Sequence, residues 1–500
     1  MTKRVPGLRP LVQGLFFLGF LYLLFRAAFP LEIRFPVDLY LRLDPFIGLV
    51  TLLTQKDIFF RMLPGFGVLA LVAIFGNFFC SWFCPMGTTI DVFDRILFRE
   101  KKRAKPLDDQ PLRRLRYGVF LFSLAAAFAG WQLLSLVDPI SLITRTFAAF
   151  VFPASTWVYN NLVVGTVGLL AKSSATLSAA PLPVFTTGFS IVLFFGAVLS
   201  LSVIKKRFWC RYLCPLGTLF SLVSGLRLVR RSVTDDCSRC QRCVRDCPMA
   251  AIPADDPLSY RRSTCINCFK CLDCPPRAVS FHFSRGGARP APAVSMSRRY
   301  ALGSLGLGLF AALSLKTSPL RGRAKLRDSR LIRPPGALPE DRFVAVCTGC
   351  GECLKACPNN ALQPAFLESG LEGIHTPRLV PRIGYCEENC NFCGRVCPTQ
   401  AIRSLELEDK KLVQMGIAHI DKSRCIAHDT DKTCIVCNEQ CSYHAVLLDD
   451  KKRPRVDEDK CTGCGICENK CPVDGESAIV VHSTGVQKKL APPAETPLLG

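Results

Sequence analysis

The stretch Cys237-Ser-Arg-Cys240-Gln-Arg-Cys243-Val-Arg-Asp-Cys247-Pro248 decides how the rest of this chain is read. Its spacing, C-x2-C-x2-C-x3-C-P, is the bacterial-type run that holds iron–sulfur clusters. Three thiolates at that interval wrap one corner of a cubane. The fourth, just before the proline, points to a second cluster. A zinc site presents two separated pairs of ligands, so the third closely spaced cysteine argues against zinc.

The run recurs. Cys265, Cys268, Cys271 and Cys274 follow, then Cys347, Cys350, Cys353 and Cys357. Cys386, Cys390, Cys393 and Cys397 come next, then Cys425, Cys434, Cys437 and Cys441, and last Cys461, Cys464, Cys467 and Cys471. These six groups of four take 24 of the 28 cysteines, and Cys80, Cys84, Cys210 and Cys214 form two C-x3-C-P pairs. A disulfide scaffold would be a short chain without C-x-x-C runs. The thiols therefore read as ligands for up to six [4Fe–4S] clusters.

Cross-ligation sorts the ligands. Cys237, Cys240 and Cys243 go with Cys274, and Cys265, Cys268 and Cys271 with Cys247. Likewise Cys347, Cys350 and Cys353 go with Cys397, and Cys386, Cys390 and Cys393 with Cys357. In the last module Cys425, Cys434 and Cys437 go with Cys471, and Cys461, Cys464 and Cys467 with Cys441. Three spacings depart from the plain pattern: a short Cys271–Cys274, an x3 loop after Cys386 and an x8 loop after Cys425.

The 500 residues allow three or four domains, and the formal charge is +23. Each cluster with its four thiolates carries about −2, so six bring the total to roughly +11. Much of the excess lies in loops flanking apolar runs, and no basic patch interleaved with stacking aromatics points to nucleic acid.

Those apolar runs predict an α-helical membrane bundle over residues 1–233. Four runs approach the roughly 20 residues that a span needs: Leu11–Phe29, Gly65–Phe83, Tyr117–Val137 and Phe185–Ile204. Residues 143–171 read as an interfacial or re-entrant segment, or as a further pair of spans. Basic residues such as Arg95, Arg99, Lys101, Lys102 and Arg103, and later Lys205, Lys206, Arg207 and Arg211, mark cytoplasmic loops. Both C-x3-C-P pairs then fall at one membrane face.

Cys80, Cys84, Cys210 and Cys214 could bind a further metal or cluster, or act as redox thiols, or simply pack. The repeated context, Cys80-Ser-Trp-Phe-Cys84-Pro-Met-Gly against Cys210-Arg-Tyr-Leu-Cys214-Pro-Leu-Gly, argues against plain packing. Histidine occurs only at positions 282, 375, 419, 428, 444 and 482, so no haem is expected in the membrane part. Asp91 and Asp94 lie near the first pair and read as solvated acids at a helix end.

The expected order is a membrane domain (1–233), a two-cluster module (234–282), a linker (283–342), two more two-cluster modules (343–405 and 420–482) and a disordered tail (483–500). The linker holds Ser297-Arg298-Arg299-Tyr300 before a Gly-rich apolar run, which is a twin-arginine export mark. That run reads as a fifth crossing or as a short helix on the membrane surface.

The first 282 residues resemble NapH-type membrane ferredoxins in their four apolar runs, two C-x3-C-P motifs and two-cluster module. Residues 297–482 resemble NapG/MauM-type polyferredoxins in the twin arginine, the Arg333-Pro-Pro-Gly-Ala-Leu lead-in and the four runs with odd spacings at Cys386 and Cys425. The resemblance implies a fusion of two proteins that acts as a quinol dehydrogenase component. It would sit in the bacterial inner membrane as a multi-pass protein, with residues 343–482 periplasmic, and take electrons from the quinone pool to a periplasmic reductase or cytochrome. Two other readings stay open: transfer from a cytoplasmic donor to quinone, and a redox maturation or metal-reduction factor.

Overall fold

The computed structural model describes residues 4–27, 36–55, 60–97, 110–132, 137–164, 181–274, 278–283, 296–317, 329–430 and 432–491. The chain divides into two compact units. The first comprises Met1–Phe25, Asp38–Thr144 and Ser190–Ser314, and the second comprises Arg26–Val37, Arg145–Phe189 and Leu315–Gly500.

Capping and proline placement set the helices of the first unit. Asp44 precedes the helix Pro45–Gln55 and accepts from the N–H groups of Phe46 (2.8 Å) and Ile47 (3.2 Å). Asp138 does the same before Pro139, accepting from Ser141 N–H at 2.7 Å. Proline at the first helical position loses no hydrogen bond, because that N–H has no intrahelical partner. Pro85 and Pro215 use the same rule: they open the helices Pro85–Leu97 and Pro215–Val223. The C-x3-C-P prolines therefore start helices.

Helices Leu63–Phe75, Gln110–Phe128, Gly188–Ile204 and Arg298–Thr317 complete this unit. Gln110–Phe128 and Arg298–Thr317 approach closely at Gly308, where a Cβ would stand 2.6 Å from the Phe122 carbonyl oxygen. The two-cluster module hangs on an antiparallel pair, β1 (Val229–Val233) and β2 (Val279–Phe283), with Val229 opposite Phe283.

The expected bundle of four transmembrane helices, with a fifth at the twin arginine, is overturned. Among the described residues one helix, Gly7–Arg26, is long and apolar enough to cross a membrane. The run Gly65–Phe83 breaks at Gly76, whose φ of 82° ends Leu63–Phe75 before a separate short helix, Phe79–Trp82. The run Tyr117–Val137 belongs to a helix that carries Arg113, Arg114 and Arg116 in its first half and ends at Phe128. The fourth run forms Gly188–Ile204, 17 residues, short of the roughly 20 a span requires. The twin-arginine run is helical over Arg298–Thr317 and is not among the helices that meet the length and composition of a span. A hydropathy window counts composition, and it cannot see where a left-handed glycine or a capping aspartate cuts a run. Segment 139–164 is helical throughout, with π-helical turns at Phe147–Val151 and Tyr159–Val164. The basic loop residues 99–105 and the linker residues 284–295 lie outside the described residues.

The second unit is mixed helix and strand. Its strands are β3 (Leu362–Pro364), β4 (Pro377–Leu379), β5 (Val413–Ile420), β6 (Val446–Leu448), β7 (Pro454–Val456) and β8 (Ile479–Lys489). They form antiparallel pairs β3–β4, β5–β8 and β6–β7. One apolar core runs through the unit, with Phe343, Leu354, Val396, Met415, Val446 and Val481 interleaved with cysteines. Residues 483–489, expected in a disordered tail, are strand. β8 continues to Lys489, which pairs with Val413, and residues 492–500 lie outside the described residues. The Arg333 lead-in is a clamp: its buried guanidinium donates to Glu340, Thr376 Oγ1, Pro377 O and Ser369 Oγ.

Candidate iron–sulfur sites

The cross-ligation pattern predicts six sites, I to VI, each named by its leading run: Cys237, Cys265, Cys347, Cys386, Cys425 and Cys461. Sites II and III line pockets among the described residues. Cys265, Cys268, Cys271 and Cys247 of site II do so with Tyr260, Ile266 and Phe281. Cys347, Cys350, Cys353 and Cys397 of site III do so with Leu354, His375 and Ile402.

The local backbone explains why the chain curls there. Residues on either side of the second cysteine take positive φ: Arg239 and Gln241, Asn267 and Phe269, Gly349 and Gly351, Gly463 and Gly465. A second set lies three residues past the C-x3-C cysteine, at Ala250, Asn360, Gln400 and His444. Left-handed residues turn successive N–H groups to one side, which makes a concavity for anions. Ala251 N–H donates to Cys247 Sγ at 3.2 Å, and Ala445 N–H to Cys441 Sγ at 3.3 Å. Such bonds stabilise thiolate and tune a cluster's potential.

Without a metal several of these thiols resist ionisation. Burial, then Cys397, pushes Cys347 up to about 12. Burial and then Cys425 and Cys434 push Cys437 to about 12. Several thiols crowded in apolar surroundings are a poor home for free thiolates and a good one for a cation that compensates them. Among the described residues no three His, Cys, Asp or Glu side chains converge as ligands of a single ion. A cubane spaces its four thiolates farther apart than one ion spaces its ligands. The cavities, the turned backbone and the donor set thus fit clusters. When bound, a cluster supplies one-electron transfer.

The C-x3-C-P cysteines gather in the first unit. Cys84 and Cys214 are buried, and Cys214 Sγ accepts from Gly217 N–H at 3.2 Å. Burial, then Cys210, pushes Cys80 up to about 12, and burial with Cys210 and Cys80 raises Cys214. The first pair also touches the site II module. Trp82 Nε1 donates to Asn267 O at 3.0 Å, and the Trp82 and Phe269 rings meet edge-on at 6.1 Å.

Arg207 and Asp91 pin this region. Arg207 is fully buried, with φ of 53°, and donates to Cys80 O (3.1 Å), Gly87 O (3.2 Å) and both oxygens of Asp91. Asp91 also accepts from Arg9 at 2.5 Å and Gln13 at 3.2 Å. It is not the solvated acid the sequence suggested. Despite burial, Arg207 and then Arg9 hold its carboxyl well below the usual range.

Sequence reading missed three groups. Asp44 and Asp138 are both fully buried and close enough to influence each other, and burial raises both carboxyls. Asp44 Oδ2 and Asp138 Oδ1 receive no donor from the rest of the protein. A proton held between them satisfies both. The repeated Asp44-Pro45-Phe-Ile and Asp138-Pro139-Ile-Ser was the available signal. Lys410 is buried beside site IV; its ammonium donates to the carbonyls of Glu387 (2.5 Å) and Glu388 (3.0 Å) and lowers Cys386 against the rise from burial.

Models of a 4Fe-4S binding domain match residues 58–106 and 187–233, which contain the two C-x3-C-P pairs, and residues 344–363 and 454–475 in the second unit. These matches and the cysteine-lined cavities define an iron–sulfur electron-transfer protein of polyferredoxin type with multiple 4Fe–4S clusters. The methylamine utilization ferredoxin-type protein MauM of Methylorubrum extorquens is 36% identical over 169 residues, covering 32% of this chain and 75% of that protein. MauM of Methylophilus methylotrophus is 38% identical, covering 31% and 71%. The ferredoxin-type protein NapG of Escherichia coli is 35% identical, covering 29% and 67%. The chain belongs to this MauM/NapG family of ferredoxin-type proteins. No solved structure matches it.

Proposed function

We propose that the protein oxidises quinol at a membrane and passes the electrons through its clusters to a periplasmic reductase or cytochrome. The observation that carries this reading is the presence together, in the first unit, of four thiols, two of them buried, a buried carboxyl pair and the site II module. Oxidation of a quinol to quinone releases two electrons and two protons. The electrons leave one at a time towards site II, through the contact that Trp82 makes with Asn267. The two protons can pass one after the other to the Asp44–Asp138 pair, each arriving as the pair releases one to solvent. After burial and Cys210, Asp44 adds to the rise at Cys80.

Two further observations support the reading. The 4Fe-4S binding model covers both C-x3-C-P pairs, which favours a cluster there over free redox thiols. Leu11, Leu15, Leu18 and Tyr22 expose 60% or more of their surface along one stripe of the helix Gly7–Arg26. Such a stripe marks a surface for lipid or partner. We place that helix in the membrane.

The test is anaerobic addition of a reduced quinol analogue to the detergent-solubilised protein, followed by visible bleaching and EPR. Dithionite gives full reduction as the control. Bleaching by quinol that Cys84→Ser or Cys214→Ser abolishes, with dithionite bleaching intact, supports the reading. Bleaching by dithionite alone rules it out.

A further inference from the structure

The second unit holds sites III to VI. Sites III and IV exchange Cys357 and Cys397, and sites V and VI exchange Cys441 and Cys471. Each pair is therefore internally adjacent. How the two pairs join decides the electron path, and chain order suggests IV to V.

The geometry points to a different order: we infer that electrons run III–IV–VI–V, with Cys386 and Cys464 as the bridge between the two modules and site V as the outer terminus. Cys386 N–H donates to Cys464 O at 2.8 Å, a direct backbone link between a site IV ligand and a site VI ligand. The segments around it are in close contact. A Cβ on Gly465 would stand 2.7 Å from Pro381 Cβ, and Asn469 Nδ2 donates to Pro381 O at 3.2 Å. The extra residue in Cys386-x3-Cys390 lies at this joint, so the odd spacing belongs to the bridge. Site V has no such link to site IV among the contacts described. It is also the more open end. Cys434, Cys437 and Cys471 are part-exposed, whereas Cys350, Cys353 and Cys397 of site III are buried.

The inference rests on the cluster wire of the preceding section but not on quinol as donor. Iron content and dithionite reduction test the wire, and magnetic interaction between reduced clusters tests the order. The full chain is loaded anaerobically, reduced and examined by EPR power saturation. Cys464→Ser with Cys467→Ser removes site VI, and Cys434→Ser with Cys437→Ser removes site V. Each should cost about four irons per chain. Loss of VI should leave V isolated, with a narrow signal that saturates at severalfold lower power. Loss of V should leave VI still broadened by IV. The reverse pattern, isolation in both variants or isolation in neither overturns the order. If a double variant loses more iron, single Cys464→Ser and Cys434→Ser replace it. There an oxygen ligand keeps the cluster but lowers its potential, so the same site is silent at a poise that reduces the others, and the same outcomes decide.

Discussion

Arg207 and Asp91 form a two-point ion pair, Nε to Oδ1 at 2.8 Å and Nη2 to Oδ2 at 2.7 Å, with the guanidinium wholly buried. The pair fixes the loop of the first C-x3-C-P motif, because the same guanidinium also holds Cys80 O and Gly87 O. Removing one partner of a buried pair leaves an uncompensated charge and costs about 3–5 kcal/mol. Asp91→Ala should lower the stability of the first unit by that order in urea unfolding, and Asp91→Asn should recover part of it.

The pH dependence of this pair has a definite sign. Asp91 has a depressed folded pKa, so its contribution is complete above the ordinary carboxylate value near 4 and is lost only as pH falls through the lower folded value. The stability gap between wild type and Asp91→Asn should therefore stay constant from about pH 7 to pH 5. A gap that closes over that window would show that Asp91 is not held by Arg207 and Arg9.

The Asp44–Asp138 pair has the opposite sign. A carboxyl raised by burial binds its proton more tightly folded than unfolded, so its contribution weakens as pH rises above about 4. Asp44→Asn should flatten that slope in unfolding curves. At neutral pH, infrared spectra of the wild type should contain a protonated carboxyl C=O band that both Asp44→Asn and Asp138→Asn remove.

The cluster sites were legible because a cubane forces its ligands into short, fixed spacings that survive in one dimension. The same holds for the doubled C-x3-C-P context. The count of membrane helices was not legible. The run Gly65–Phe83 is apolar throughout, yet Gly76 breaks it with a left-handed φ of 82°. Asp91 was misread because Arg9 and Arg207 lie far from it in sequence. The order of the clusters was hidden for the same reason: Cys386 and Cys464 meet only through folding.

The Arg333 lead-in is a structural clamp, which makes a separate prediction. Its guanidinium is buried over the Phe343 ring at 4.5 Å and pairs with Glu340 at 2.5 Å. Arg333→Ala takes the guanidinium away from Glu340, which still accepts from Ser369 Oγ, and from the Pro377 carbonyl. It should destabilise the second unit by about 3–5 kcal/mol, read as an earlier urea midpoint with bound iron unchanged at low denaturant. Arg333→Lys keeps the charge but not the forked geometry, and should recover only part of the loss.

Lys410 is the one prediction that bears directly on a potential. Its ammonium lies beside Cys386 and is the charge that lowers that thiol. A positive charge near a cluster favours the reduced, more negative state. Lys410→Met should therefore move the site IV midpoint to lower potential. A loss of about 1 kcal/mol in this interaction is roughly 40 mV for a one-electron couple. Lys410→Arg keeps the charge and should restore most of it. Redox titration followed by EPR separates this from a packing defect. A packing defect would release iron from site IV without moving the midpoint of the clusters that remain. An unmoved midpoint with full iron would show that the charge of Lys410 does not reach the cluster.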